Sequence, residues 1–549
     1  MDKNFNTYIE ESIKDHWDSL ALMDYQGQQL YYKDAAKTIA RLHILFEQCG
    51  IEKGDKVSIA GRNSAHWGIS FLATLTYGAV AVPVLHEFKP ENMYNIIKHS
   101  ESKILLVGDV VWSGLDRNEI ADVDTIVLIN DFSFLHSKNI PINEIEEKID
   151  KAFAEKYKGE VTKDDVKYHK DTDDELVLIN YTSGTTGFSK GVMLQYKSLI
   201  ANLEFARKTL PQLQGSGIVL MLPMAHMFGL MFEFIFPLVS GCSIQFLTRT
   251  PTPKIILDAY AVVKPKLIIS VPLIIEKVFK NKIKPVISKP SMKILMKLPI
   301  IKQIIYKKIL KQVSESFGGN VLTAAIGGAA LNTEAEQFFK KIGFQYSIGY
   351  GMTECGPLIS YVEWESMKLY SCGKAIPTMQ VKIDNPNPKT GIGEIIVKGK
   401  NVFAGYYKNP EATNAAFDED GWFHTGDLGI IDNDGYVFIK GRCKNMILTA
   451  SGQNVYPEEI EDQLNNLPYI NESILIENNG KLIALIYPDY ERAAREKMSN
   501  EQLEKILENE KNELNKHLPN FSQIAQIKIR SEEFEKTPKK SIKRFMYQN

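Results

Sequence analysis

The sequence predicts an α/β protein: a large multi-layer N-terminal domain (1–442) with mostly parallel sheets and a small antiparallel β subdomain, then a small α+β C-terminal domain (443–549). Three observations predict it. Short apolar runs of strand length alternate with helical segments through the first half of the chain. From about residue 391 the texture changes to short strands with Gly-rich turns: GEIIVKG, GWFHTGDLG and GYVFIKGR. After Arg442 comes a tail with its own highly charged helix near 499–517. At roughly 150 residues per folding unit, 549 residues suggest about three or four such units.

Within 33–50, Ala35, Ile39, Leu42 and Phe46 fall on one helical face, and Gly50 supplies the stop. KVSIA (56–60), KILLVG (103–108) and TIVLI (125–129) have strand length, and the segments between them are long enough for crossover helices. Residues 68–85, GISFLATLTYGAVAVPVL, carry no charge over 18 positions, near the lower limit for a membrane span. Gly78 and Pro83 divide them, so they read as a buried helix and a β-branched strand. Residues 217–247 are also apolar, but Pro223, His226, Glu233 and Pro237 interrupt them. Parallel strands buried on both faces produce such runs. Further strands are expected at 175–180, 217–223 and 266–272.

Hydrophobic residues make up 44% and charged residues 24%, which excludes a disordered or fibrous chain. The net charge of -2 gives no reason to expect nucleic acid as a partner. The five cysteines (Cys49, Cys242, Cys355, Cys372, Cys443) are scattered without a CxxC pair. That argues against a disulfide scaffold or a cysteine zinc site and fits a reducing compartment. The N-terminus has no apolar signal-peptide core, so a cytoplasmic location is expected.

The most informative segment is YTSGTTGFSKG (181–191), which follows an apolar strand. Glycines let a backbone turn tightly around a ligand, hydroxyls and N–H groups donate to phosphate oxygens, and lysine adds a point charge. Its order departs from the GxxxxGK[ST] loop: Lys190 follows Gly187 by three and precedes Gly191. A kinase or GTPase reading is weakened accordingly.

This segment closely resembles the phosphate loop of the adenylate-forming superfamily, which includes acyl-CoA synthetases, luciferases and peptide-synthetase adenylation domains. Phe188-Ser189 stands where relatives more often have a polar residue and proline. The resemblance recurs in order at LPMAHMFG (222–229), GGAAL (327–331), YGMTE (350–354), GWFHTGDLG (421–429) and GRCKNMILTASGQNVYPEEIE (441–461). It is nearest to long-chain fatty acid–CoA ligases. It implies an enzyme that joins a carboxylate to the AMP part of ATP, releases pyrophosphate, and passes the acyl group to coenzyme A.

The resemblance implies these roles. Thr182, Ser183, Gly184, Thr185, Thr186 and Lys190 hold the outer phosphates. Thr353 donates to the α-phosphate, and Glu354 holds Mg²⁺, a hard cation that prefers oxygen. Tyr350 stacks on adenine, flanked by the backbone of Gly327, Gly328 and Ala329; Asp427 receives the ribose hydroxyls with Arg442 nearby. His226 has two readings: a core histidine, or a residue bordering the acyl tunnel and the Mg²⁺-phosphate region. In the second it positions and takes no proton, because the substrate carboxylate is already ionised near neutral pH.

In relatives the C-terminal domain is mobile and rotates between an adenylating and a thioester-forming pose; the matching hinge is Lys444, and Gly452 would face the thiol tunnel. The family's catalytic lysine lies in a TPxGK-like motif, where this chain reads KTPKKSIKR (536–544). Ungapped alignment places Ser541 there. Lys540, one residue away, is the assigned lysine, with Lys543 as the other choice and a solvated basic tail as the plain reading.

Between Lys277 and Lys311 there are eleven lysines and no acidic residue, interleaved with aliphatic residues. Such composition suits the surface of an anionic membrane, peripherally and on its inner face, or simply a solvated helix face. The leading expectation is activation of a medium- or long-chain fatty acid. Acyl–acyl-carrier-protein synthesis and an impaired ATP- or acyl-AMP-binding protein are the alternatives.

Overall fold

The computed structural model describes residues 3–182, 189–210, 213–249, 252–448, 453–536 and 542–548. Five parallel strands form the centre of an eight-stranded sheet, in the order Leu176–Thr182, Val80–Leu85, Lys56–Gly61, Ile104–Val107 and Thr125–Leu128. Antiparallel strands close its edges: Lys190–Gln195 and then Gly405–Tyr406 on one side, Phe134–Ser137 on the other. The expected strands lie where the apolar runs placed them.

Helix Ala65–Tyr77 crosses between two of these strands. Ser64 caps it by accepting from the Trp67 N–H, and Gly78 ends it in the left-handed region at φ 90°. Its Trp67, Ile69, Phe71 and Leu75 are fully buried, so the uncharged stretch 68–85 is core. No helix among the described residues is long and apolar enough to cross a membrane.

A second sheet orders Gly217–Leu220, Ser243–Phe246, Leu20–Asp24 and Gln29–Tyr31. A third is wholly parallel: Leu267–Ser270, Thr323–Ile326 and Tyr346–Ile348. Between the outer strands of 217–247 the chain makes a wide π-turn, Leu230–Ile235, directly before Pro237. Proline lacks the N–H that an α-helix needs at that point, so the ladder changes register.

The Gly-rich region forms the antiparallel sheet Met379–Asp384, Gly393–Gly399, Phe423–Ile431 and Val437–Arg442. Beyond it, the hairpin Ile470–Asn478/Lys481–Pro488 pairs with Ile524–Ile529. Helices Pro457–Asn465 and Asn500–Asn515 cover one face over a core of Leu464, Leu475, Ala484, Leu503 and Leu507.

The lysine-rich segment folds as short helices ending in Pro299–Ser316. Ile294, Leu298, Ile300 and Ile304 stand exposed on it, Ile300 at 78%. Two of its lysines do not join that surface. Lys280 Nζ donates to the Asn465 carbonyl at 3.0 Å, and Lys284 Nζ to that of Asn466 at 3.4 Å. They cap the C-terminal end of helix Pro457–Asn465, where the helix dipole favours a cation.

Candidate active site

Three of the motifs follow directly on the C-terminal ends of parallel strands, the place where open α/β sheets bind ligands. Leu176–Thr182 leads into the phosphate loop, Thr323–Ile326 into Gly327, and Tyr346–Ile348 into Tyr350. Gly327 N–H donates to the Ser270 carbonyl at 3.1 Å and Gly349 N–H to that of Ile326 at 2.9 Å, so the loops leave in register.

The Tyr350 hydroxyl donates to Asp427 Oδ2 at 2.8 Å, and Arg442 Nε lies 2.8 Å from Asp427 Oδ1. Asp427 is 5% exposed and Tyr350 6%. Burial pushes the Asp427 carboxyl above the ordinary range, while the Arg442 guanidinium and the Tyr350 hydroxyl pull it back. Asp427 and Arg442 face each other across paired strands, and this pairing sets their distance. Gly327 is buried; a Cβ there would stand 3.0 Å from the Phe228 ring, so glycine lets GGAAL press onto LPMAHMFG. Gly328 and Ala329 are exposed beside it.

Thr353 and Glu354 lie in the tight turn Thr353–Cys355, both buried. Glu354 Oε1 accepts from the Tyr406 hydroxyl at 3.1 Å, and the Glu354 carbonyl accepts from Phe403 N–H at 2.8 Å. Lys190 Nζ sits 4.8 Å from the centroid of the Tyr406 ring, a cation–π distance. The turn is held from below: Asn202 Oδ1 accepts from Leu358 N–H at 3.0 Å, and Asn202 Nδ2 donates to the Cys355 carbonyl at 3.3 Å.

His226 precedes the one-turn helix Met227–Gly229, on a loop pinned from three elements. Glu233 Oε2 accepts from Met221 and Leu222 N–H at 3.1 and 2.8 Å. Asn63 donates to the Leu222 carbonyl at 2.8 Å and accepts from Met224 N–H at 3.0 Å. Asn180, on the strand that feeds the phosphate loop, donates to the Ala225 carbonyl at 2.9 Å. Glu233 is fully buried, and that burial raises its carboxyl well above the ordinary range. Lys444 lies exposed in the turn Cys443–Asn445.

Ser183, Gly184, Thr185, Thr186, Gly452 and Lys540 lie outside the described residues. The described residues that flank 537–541 are tied down. Lys536 and Ile542 form an antiparallel bridge, Lys543 N–H donates to the Glu535 carbonyl at 2.8 Å, and Arg544 pairs with buried Glu461. Burial pushes Glu461 up to about 7 against the pull of Arg544.

Sequence reasoning missed Tyr406, Asn63 and Asn180, and took Glu233 only as an interruption of an apolar run. The GYYKNP turn gave one weak signal, a Gly-Tyr pair just before a proline turn.

The architecture and site together define an AMP-binding enzyme. The profile of the AMP-binding enzyme family matches residues 9–407, and that of the AMP-binding enzyme C-terminal domain matches 444–548. The chain belongs to this family. It is 28% identical over 469 residues to the long-chain-fatty-acid–CoA ligase FadD15 of Mycobacterium bovis, covering 81% of this chain and 74% of that protein. It is 27% identical to the long-chain-fatty-acid–[acyl-carrier-protein] ligase AEE15 of Arabidopsis thaliana, covering 88% and 76%. The ATP-bound structure of MatB from Rhodopseudomonas palustris shares the fold, with a TM-score of 0.77, 23% identity, and 100% and 98% of the two chains covered.

Proposed function

We propose that this chain is an AMP-forming ligase that activates a medium- or long-chain fatty acid and transfers it to coenzyme A. The observation that carries the proposal is that the short segment 350–354 joins two clusters, Tyr350 with Asp427 and Arg442, and Glu354 with Tyr406 and Lys190. The substrate class rests on the relatives, named as long-chain-fatty-acid ligases.

The substrate carboxylate oxygen attacks the α-phosphorus of ATP, a P–O bond forms, and the bond to pyrophosphate breaks. Nothing must be deprotonated, so the protein's contribution is position and charge. Asp427 receives the ribose hydroxyls, Tyr350 and the Gly328-Ala329 edge bound the base, Thr353 donates to the α-phosphate, and Lys190 with Thr182 to Thr186 meets the leaving phosphates. Glu354 fits Mg²⁺: Tyr406 occupies only one of its oxygens, and this ion is commonly held by one carboxylate together with substrate phosphates. The ion would neutralise charge on the phosphates. Lys540 supplies the cation between carboxylate and α-phosphate, and His226 shapes the acyl side.

The C-terminal unit, 443–549, then turns about Lys444 and brings Gly452 to the thiol path. The thiolate attacks the acyl carbon and AMP leaves. The exposed lysines and Ile294, Leu298, Ile300 and Ile304 support peripheral contact with an anionic membrane, from which fatty acid is drawn. Likeness to the carrier-protein ligase keeps a second reading, in which the acceptor is an acyl carrier protein. Trapping the activated acid as its hydroxamate, across fatty acids of graded length, tests the first half-reaction. Supplying coenzyme A or holo-acyl carrier protein in turn identifies the acceptor. A protein that binds ATP yet yields no hydroxamate with any acid would be the binding protein, and the proposal would fall.

A further inference from the structure

Tyr406 lies between the two charges proposed to handle the outer phosphates and the cation. Its hydroxyl donates to Glu354 Oε1 at 3.1 Å, and its ring face lies under Lys190 Nζ at 4.8 Å. The backbone around it is fixed. Gly405–Tyr406 pairs antiparallel with Met193 and Val192, on the strand that begins at Lys190. Tyr406 N–H donates to Thr413 Oγ1 at 2.9 Å, and Phe403 packs on the ring at a centroid distance of 4.8 Å. The segment 403–406 thus grips Glu354 by its side chain and, through Phe403 N–H, by its main chain. The described residues give Glu354 a hydrogen bond from a neutral hydroxyl and Lys190 an aromatic face.

A buried glutamate and a nearby lysine that are free to meet form an ion pair, and each is then lost to a ligand of opposite charge. We propose that Tyr406 is a positioning residue that engages both groups and holds them apart, leaving Lys190 for phosphate and one Glu354 oxygen for the cation. This deepens the proposed function and rests on its assignment of Glu354 to the cation.

The test is a Mn²⁺ titration followed by electron paramagnetic resonance on full-length protein with a non-hydrolysable ATP analogue. Wild type is compared with Tyr406→Phe, Tyr406→Leu and Glu354→Gln. Tyr406→Phe keeps the ring under Lys190 and removes only the hydroxyl. It weakens Mn²⁺ about tenfold, the size expected for a hydrogen bond to a charged group, and leaves metal-free binding of the analogue unchanged. Tyr406→Leu removes the ring as well and also weakens metal-free binding several-fold, because Lys190 is released onto Glu354. Should Glu354→Gln lose Mn²⁺ while Tyr406→Phe keeps wild-type affinity, the role of Tyr406 is overturned and the site reading stands. Should Glu354→Gln itself bind Mn²⁺ normally, the assignment of Glu354 is overturned, and the inference with it.

Discussion

Two stretches of this chain are rich in aliphatic residues and end in opposite places. In Leu230–Val239 every side chain is buried, including the carboxylate of Glu233. In the helices between Lys284 and Lys311, Ile294, Leu298, Ile300 and Ile304 are 52% to 78% exposed. Aliphatic content alone does not decide burial. The first stretch carries one ionisable side chain, Glu233, one oxygen of which accepts from two backbone N–H groups. Helices Phe5–Asp15 and Tyr196–Thr209 and strands Gly217–Leu220 and Ser243–Phe246 pack against it. The second carries a lysine at nearly every turn, and ammonium groups resist burial without a partner. Where partners exist, as for Lys280 and Lys284 at the end of helix Pro457–Asn465, the same run turns inward.

The contrast breaks most visibly at Phe236, which is 1% exposed. Phe236→Ala should lose about 3–5 kcal/mol of stability, read as a lower denaturation midpoint. Glu233→Ala comes next. It strands the Met221 and Leu222 N–H groups and should cost about 1–3 kcal/mol. Glu233→Gln keeps an acceptor and should lose less than half of that.

The pH dependence of Glu233 sharpens the same point. Burial raises its folded carboxyl well above the ordinary glutamate range, so the folded chain gives up this proton at higher pH than the unfolded chain does. Stability therefore falls as pH rises above about 4.5, and Glu233→Gln should flatten that fall in melts recorded between pH 5 and 8. On the exposed side, Lys293→Glu, Lys302→Glu and Lys308→Glu together should shift the melting temperature little. They should cut partition onto anionic vesicles at least tenfold, at about 1 kcal/mol per lysine. Ile300→Ala, at a position 78% exposed, should move stability by less than about 0.5 kcal/mol.

Much of the fold was legible because its determinants are local. Strand-length runs such as 103–108 and 125–129 carry their own pattern, and helix 65–77 carries its Ser64 cap and Gly78 stop. Tyr350, Asp427 and Arg442 were expected together through motifs, and the structure brings these three side chains into contact. Tyr406 was not. Its role depends on a two-residue strand pairing with Val192 and on reaching Glu354 from a distant part of the chain, neither of which has a local pattern. Asn63 and Asn180 escaped for the same reason: each satisfies backbone groups of a loop far along the sequence. Glu233 was visible as a lone charge in an apolar run, but only the folded loop supplies the N–H groups that explain it. The lysine run was read as one surface, although two of its members serve another helix.

The most direct test of the central claim is exchange of labelled pyrophosphate into ATP, with and without fatty acid. The account predicts exchange that requires the acid and falls about a hundredfold in Asp427→Ala, which loses the carboxyl group proposed to receive the ribose hydroxyls. ATP bound tightly, with no label entering it for any acid from six to eighteen carbons, would contradict it.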